Sequence, residues 1–157
     1  MMANVKKHIS KPLFAAGGIA LGSQMKAAMI LGADGVQIGS RFAATVEASA
    51  HNNWKNKIVE LNEGDTHLTL KELAPVRMVK NKFFHDLENL YETGRNAEAL
   101  KETLGRARAK KGMFEGDLEE GELEIGQVSA LIHEILPVEK VFENLLREFR
   151  ASSVVDL

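Results

Sequence analysis

Two short apolar segments, each ending in glycine, constrain the fold of this chain more than any other feature. Residues 12–18 read Pro-Leu-Phe-Ala-Ala-Gly-Gly, and residues 35–40 read Gly-Val-Gln-Ile-Gly-Ser. The apolar side chains between them recur at helical spacing, with Ser23 as the expected N-cap and Gly32 as the expected helix stop. A strand, a helix and a strand joined by short connections predict a parallel βαβ unit whose strands are buried on both faces.

The glycine turns after the two strands are candidate anion sites. The first turn is residues 15–19 and the second is residues 37–41. Glycine lets the backbone approach a ligand and adopt positive φ, and a helix that starts next presents unpaired N–H groups. Parallel strands end on the same side of a sheet, so both turns can donate to one phosphate. On the pattern alone, tight turns without a ligand explain the glycines equally well.

The sequence excludes two commoner nucleotide motifs at the first turn. A dinucleotide fingerprint needs glycine at the third position of its turn, where Ile19 stands. A P-loop needs lysine after its last glycine, whereas Gly22 is followed by Ser23 and Gln24. A triphosphate would therefore lack its charge partner, which leaves a monophosphate held mainly by backbone N–H groups.

Residues 12–42, PLFAAGGIALGSQMKAAMILGADGVQIGSRF, resemble the nitronate monooxygenase family, formerly called 2-nitropropane dioxygenases. The flavin-dependent enoyl-acyl-carrier-protein reductases share this pattern. The likeness continues through residues 73–77 and 80–83, and through residues 105–108 and 126–127. It implies an α/β fold made of strands seven and eight of a (β/α)8 TIM barrel, with a small, mostly helical appended domain.

The resemblance implies flavin mononucleotide (FMN) as the cofactor. Residue by residue, it places the FMN phosphate on Gly17, Gly18, Gly39 and Ser40, with Gln37 facing the same site. Arg41 would either neutralise phosphate charge or form an outward salt bridge. The implied reaction is oxidation of an alkyl nitronate, a small molecule, with molecular oxygen, and the alternative is enoyl-acyl-carrier-protein reduction. The family's catalytic histidine lies before the seventh strand, so the resemblance places no catalytic residue in this chain.

The resemblance also implies that only part of the barrel is present, because a complete one takes about 250 residues. Residues 1–60 would form the end of the barrel, residues 61–125 the appended domain, and residues 126–157 the final barrel helix and a tail. We therefore expect a fragment or assembly module that needs an N-terminal barrel half or self-associates. Alone, it would neither hold FMN tightly nor turn over nitronate.

The rest of the chain has mainly helical patterns. Helices are predicted over residues 41–50, 50–61, 82–92, 96–110 and 127–150, the last interrupted at Pro137. Residues 66–70 predict a short strand, and the acidic residues 112–126 predict a solvated loop. The basic run at residues 106–111 is expected either to balance those acids or to lie on a helix face. Residues 151–157 are expected to be a loose tail. Four aromatic side chains are expected to pack between the small domain and the barrel: Trp54, Phe83, Phe84 and Tyr91.

Composition excludes several classes of protein. The chain has 157 residues, no cysteine and a net charge of −2, which gives no disulfide framework and no general attraction for nucleic acid. No stretch approaches the roughly 20 apolar residues of a membrane span, so a cytoplasmic protein is expected. No metal site is expected either. His133 and Glu134 begin a zinc motif that Pro137 breaks, and Glu122 stands where a calcium loop from Asp117 needs glycine.

Overall fold

The structure, a computed structural model, describes residues 1–94 and 97–153. The helices and strands, in chain order, are α1 (Met2–Lys6), β1 (Phe14–Ala16), α2 (Gly22–Ile30), β2 (Gly35–Gln37), α3 (Ser40–Ala43), α4 (Asn52–Val59), β3 (Thr66–Thr69), β4 (Val76–Val79), α5 (Lys82–Glu92), α6 (Ala97–Leu104) and α7 (Val138–Ala151). A π-helical turn spans Lys110–Phe114 and a 3-10 helix spans Gln127–Leu131. Of the tail expected over residues 151–157, Ala151 is the last residue of α7, and residues 154–157 lie outside the described residues.

Strands β1 and β2 pair in parallel and α2 connects them, which confirms the predicted βαβ unit and the α/β class. We call β1, α2 and β2 the parallel unit. At one end of its ladder Ala16 pairs with Gln37. At the other end the Asp34 carboxylate accepts from the Leu13 N–H at 2.7 Å, and the Asp34 N–H donates to the Leu13 carbonyl at 2.7 Å. Gly32, with a φ of +103°, ends α2 as predicted.

The strands of the parallel unit are not buried on both faces, contrary to the expectation. The Phe14 side chain is 62% exposed, and Ala16 and Gln37 are exposed as well. The Phe14 ring lies over Gly35, where an added Cβ would come within 2.5 Å of the ring. Burial of both faces needs further strands beside β1 and β2, and within residues 1–94 and 97–153 this sheet has only these two.

Helix α2 is capped by a residue other than the predicted Ser23. The helix begins at Gly22, and the Gln24 side-chain oxygen accepts from the N–H groups of Ala20 at 2.8 Å and Leu21 at 3.1 Å. Serine is a favoured N-cap residue, but Ser23 lies inside the helix, which starts one residue before it. Glutamine at the third helical position reaches back to the preceding backbone instead.

Helix α7 packs along α2 and joins the end of the chain to the parallel unit. The Glu148 carboxylate of α7 accepts from the Gly22 N–H at 2.7 Å. An added Cβ at Gly22 would come within 2.1 Å of the Leu145 carbonyl oxygen. The two helices therefore meet backbone to backbone at Gly22, and a larger residue there would separate them.

Strands β3 and β4 form an antiparallel hairpin in which Thr66 pairs with Val79 and Thr69 with Val76. The sequence predicts β3 but not β4, and the region is therefore less helical than expected. The α5 bounds match the prediction, and the Asn81 side chain caps this helix by accepting from the Phe84 N–H. We call β3, β4, α5 and α6 the hairpin unit. Its core consists of Leu70, Met78, Phe83, Phe84, Leu87 and Leu100.

A second core surrounds Trp54 and Ile58 of α4, the helix that the sequence predicts over residues 50–61. Leu123 and Ile125 also belong to this core, although the segment that carries them was predicted to be a solvated loop. The Leu123 side chain is 0% exposed. Most of this segment is a loop as predicted, but the expectation that it is solvated is wrong, because Leu123 and Ile125 are buried. The basic run does balance the acids, through the ion pairs Arg108–Glu120, Lys110–Glu115 and Lys111–Asp117.

Three helices are shorter than their sequence patterns. The pattern over residues 41–50 gives only α3, because Thr45 forms a bridge with Leu136 instead. Helix α6, which the sequence predicts over residues 96–110, ends at Leu104, and Gly105 follows with a φ of +62°. The last pattern divides at Pro137 into the 3-10 helix and α7.

Candidate functional site

Both glycine turns leave the parallel sheet at the same end. Ala16 and Gln37 are the last paired residues of the ladder, and the two turns follow them directly. This register places the backbones of the turns next to each other at the C-terminal ends of the strands. That is the edge at which ligands bind in open parallel sheets.

The first turn has the backbone geometry that the sequence predicts. Gly17 has a φ of +87° and Gly18 a φ of +71°, and a Cβ added at either residue would meet no atom within 4 Å. Among the described residues, the hydrogen bonds formed outside helices and strands use neither of their N–H groups. The two glycines line a cavity of about 580 Å³, together with residues of α1, β1 and α2. The space beside the two glycines is therefore open, and an apolar wall borders it.

The second turn differs from the first. Gly39 has a φ of −102°, so the predicted need for positive φ holds at Gly17 and Gly18 and not here. A Cβ added at Gly39 would also meet open space. Gly39 and Ser40 line a groove of about 600 Å³ that Arg77, Glu124 and the backbone around them close on the other side. The two turns thus share one edge of the sheet, yet each lines its own depression.

The Ser40 hydroxyl is held by a contact that the sequence gives no reason to expect. Its oxygen accepts a hydrogen bond from the Gly126 N–H at 3.1 Å. Gly126 and Arg77 are groove residues that sequence reasoning assigned no role, although both lie in segments of the family pattern. Gln37 is exposed at the end of β2, and its part in the site stays a prediction.

Arg41 takes neither of its two predicted roles. Its side chain is 8% exposed, and Nη1 donates to the carbonyls of Ala44 at 3.2 Å and Glu134 at 3.3 Å. Burial lowers the pKa of Arg41, while the charges of Glu134 and Glu148 act to raise it. Arg41 therefore points inward and ties the second turn to the segment before α7.

The start of α2 is not available to an anion, which corrects one part of the expectation. The Gly22 N–H already donates to the Glu148 carboxylate, and the N–H groups of Ala20 and Leu21 already donate to Gln24. A carboxylate at this helix end would also repel a phosphate. The free donors of the first turn are therefore those of Gly17 and Gly18.

Other candidate centres have structural roles. The Nδ1 atom of His51 accepts from the Asn53 N–H and caps α4. The pKa of Glu122 is raised to about 6, mainly by burial and also by the charge of Glu124, while the charge of Arg108 opposes the shift. Over the described part of the chain, no three His, Asp or Glu side chains come together as metal ligands. None of the helices in that part is long and apolar enough to cross a membrane.

Comparison with known proteins agrees with the sequence pattern. The sequence model of the nitronate monooxygenase family matches residues 1–148. A protein of Bacillus subtilis (strain 168) named "Probable nitronate monooxygenase" is 36% identical over 141 residues, which is 89% of this chain and 40% of that protein.

Two solved structures overlay most of the chain. FabK from Thermotoga maritima has a TM-score of 0.83 at 37% identity, covering 95% of this chain and 47% of FabK. A nitroalkane oxidase from Streptomyces ansochromogenes has a TM-score of 0.72 at 30% identity, covering 95% of this chain and 42% of that protein. The chain thus spans less than half the length of each of these relatives.

Proposed function

This chain belongs to the nitronate monooxygenase family, and from that premise we propose that it supplies the FMN phosphate site of a flavin-dependent oxidoreductase. In this proposal β1 and β2 are strands seven and eight of a (β/α)8 barrel. The reaction is oxidation of an alkyl nitronate by molecular oxygen. The observation that carries the proposal is the pair of glycine turns at one sheet edge, with open space where side chains would stand.

The residues present fit a phosphate monoester. At Gly17 and Gly18 the absence of Cβ would let a phosphate oxygen approach the backbone N–H groups, and both residues have the positive φ that glycine adopts without steric cost. Ser40, as the first residue of α3, has an N–H without a partner inside that helix and a hydroxyl beside it. A Cβ added at Gly39 would meet no atom within 4 Å, so the second turn also leaves room for a ligand in its own groove, which Arg77 and Glu124 line. Gln37 would contact the ligand from the end of β2.

The chain's contribution to the reaction is to hold the phosphate end of the cofactor. FMN would supply the redox chemistry when bound, and the protein would position it. We place no catalytic residue in this chain. The chain spans about 40% of the Bacillus subtilis relative. The proposed activity and substrate of the whole enzyme therefore rest on family membership and not on residues of this chain.

A second candidate reaction is flavin-dependent enoyl-acyl-carrier-protein reduction. The two enzyme groups share the pattern of residues 12–42, and the overlay on FabK is closer than that on the nitroalkane oxidase. The phosphate site would be the same in both. The flavin-reduction step separates them, because a reductase needs a reduced nicotinamide cofactor and a nitronate oxidase uses its organic substrate as the reductant.

The partner that this proposal requires is an N-terminal barrel half. Leu13, Phe14, Ala15 and Ala16 line the same apolar cavity as the first turn, and Phe14 is mostly exposed. Inward-facing residues of a (β/α)8 barrel normally pack in layers with those of neighbouring strands. A polypeptide that supplies those strands would cover this surface and complete the site around the flavin ring.

The test compares two glycines with the same backbone conformation. Gly17 and Gly64 both have a φ of +87°, and neither has an atom within 4 Å of an added Cβ. The chain is combined with the N-terminal part of the Bacillus subtilis relative, and FMN affinity is measured by quenching of flavin fluorescence. We expect Gly17→Val to weaken binding more than about tenfold, because its side chain occupies the space of the phosphate.

Gly64→Val is the matched control, since it carries the same backbone strain at a residue that lines neither the cavity nor the groove. It should lower stability as Gly17→Val does and leave FMN affinity unchanged. Equal FMN affinity in both variants and in the wild type would reject the phosphate site. In the same mixture, oxygen consumption with an alkyl nitronate would favour the first reaction, and nicotinamide-dependent flavin reduction the second.

A further inference from the structure

A hydrogen bond joins the second glycine turn to the segment that follows the hairpin unit. The Gly126 N–H donates to the Ser40 hydroxyl oxygen at 3.1 Å. A Cβ added at Gly126 would lie 2.8 Å from that same oxygen, closer than a side chain tolerates. The contact therefore depends on a bare backbone on one side and a hydroxyl on the other.

The segment that carries Gly126 is also bound to β4. The Leu123 carbonyl accepts from the Val79 N–H at 2.9 Å, and the Ile125 N–H donates to the Arg77 carbonyl at 3.1 Å. We call residues 123–126 the return segment. It runs from the edge of the hairpin unit to Ser40 and forms one wall of the groove beside the second turn.

The chemistry of a hydroxyl makes this contact directional. A serine hydroxyl has one proton to donate and two lone pairs that accept. Because the Gly126 N–H occupies a lone pair, the proton of Ser40 is available to an acceptor in the groove. When the acceptor is an anion, donation polarises the hydroxyl and strengthens its oxygen as an acceptor for Gly126.

We infer that Ser40 is a positioning residue that couples binding of a phosphate monoester at the second turn to the placement of the return segment. The inference rests on the proposed function for the identity of the ligand. Such a coupling is reciprocal, so a correctly placed return segment also favours phosphate binding. Through its bonds to β4, the return segment would relay the presence of the ligand to the hairpin unit.

The test follows glycine amide resonances by NMR in the full 157-residue chain. FMN is titrated to millimolar concentration, and riboflavin, which lacks the phosphate, is titrated in parallel. In the wild type we expect FMN, and not riboflavin, to shift the amides of Gly17, Gly39 and Gly126. In Ser40→Ala the first two should still shift, with FMN affinity reduced by about three- to tenfold, while Gly126 no longer responds.

Two variants separate coupling from a general loss of structure. Ser40→Thr keeps a hydroxyl and should restore the Gly126 response. Ser23→Ala removes an exposed hydroxyl from α2 and should behave as the wild type. A Gly126 response that persists in Ser40→Ala would overturn the coupling and leave the phosphate site standing. Absence of any shift at Gly17 and Gly39 in the wild type would overturn the phosphate site, and the coupling with it.

Discussion

The parallel unit and the hairpin unit each contain two short strands and at least one helix, but they bury them very differently. In the hairpin unit Met78 is 0% exposed and Val79 is 2% exposed, and α5 covers the strands with Phe83 and Leu87. In the parallel unit Phe14 is 62% exposed and β1 borders an open apolar cavity. The hairpin unit buries its strands against its own helix. The strands of the parallel unit instead leave apolar surface exposed, which the neighbouring strands of a larger sheet would cover.

This difference also separates stability from binding. The two larger buried cores lie in the hairpin unit and around Trp54, while the parallel unit, which carries the glycine turns, has a smaller one made of Ile19, Ala28 and Ala33. An open strand edge exposes unpaired backbone groups and favours association with other strands. The part of the chain with the candidate site is therefore the part that most needs a partner.

The largest expected effect comes from removing matched phenylalanines from the two units. Phe83 is 1% exposed, so Phe83→Ala should lower the free energy of unfolding by about 3–5 kcal/mol. Phe14→Ala should lower it by about 0.5 kcal/mol or less in the chain alone, because its ring is already in solvent. Urea unfolding followed by circular dichroism measures both values.

Adding an N-terminal barrel half should increase the loss of stability that Phe14→Ala causes. Phe14 would then become a core residue, and Phe14→Ala should cost about 2 kcal/mol or more in the assembled protein. Equal losses for both variants in the isolated chain would mean that the parallel unit has a closed core of its own.

A smaller effect is expected at Glu122, a buried carboxyl next to the hairpin unit. Its pKa is raised from 4.5 to about 6, mainly by burial, so the folded state favours the protonated form. The stability it contributes is complete below pH 4.5 and is lost as pH rises through about 6. Glu122→Gln should therefore raise the free energy of unfolding by about 1 kcal/mol at pH 7.5 and leave it unchanged at pH 4.

Glu119→Gln is the control for that experiment, because it removes an exposed carboxyl from the same segment. It should leave the pH dependence as it is in the wild type. If Glu122→Gln destabilises the chain at pH 7.5, the buried carboxylate has a stabilising partner and the direction of the pKa shift is wrong.

The smallest effect is expected at the start of α2 in the parallel unit. Gln24→Ala removes the acceptor of two backbone N–H groups and should lower stability by about 1 kcal/mol. Ser23→Ala should change it by less than about 0.5 kcal/mol, because the helix is capped without that side chain. If Ser23→Ala lowered the thermal unfolding temperature more than Gln24→Ala, the cap of α2 would be Ser23, as the sequence predicts.

The sequence predicts those parts of the fold that local patterns determine. The βαβ unit, α4, α5 and β3 follow from apolar periodicity and glycine positions, and the positive φ of Gly17 and Gly18 follows from residue type. The register that brings the two turns to one edge follows from parallel pairing. Motifs alone indicate the family, and the match of the family's sequence model to residues 1–148 confirms it.

The remaining features depend on contacts between distant residues, and local patterns do not contain them. The Gly22 N–H finds its partner at Glu148, 126 positions along the chain, and the Ser40 hydroxyl finds Gly126, 86 positions along. Arg41 turns inward because the carbonyl of Ala44, at the end of its own helix, and the carbonyl of Glu134, 93 positions along the chain, both accept from it. Burial of Leu123 likewise depends on cores that the acidic composition around it conceals.

Amide hydrogen exchange of the isolated chain, read separately for the two units, tests the central claim most directly. The account predicts that amides of Phe14–Ala16 and Gly35–Gln37 exchange at least about tenfold faster than those of Thr66–Thr69 and Val76–Val79. It also predicts that adding an N-terminal barrel half with FMN slows only the first group markedly. Equal and strong protection of all four strands in the chain alone, unchanged by the partner and the flavin, would contradict it.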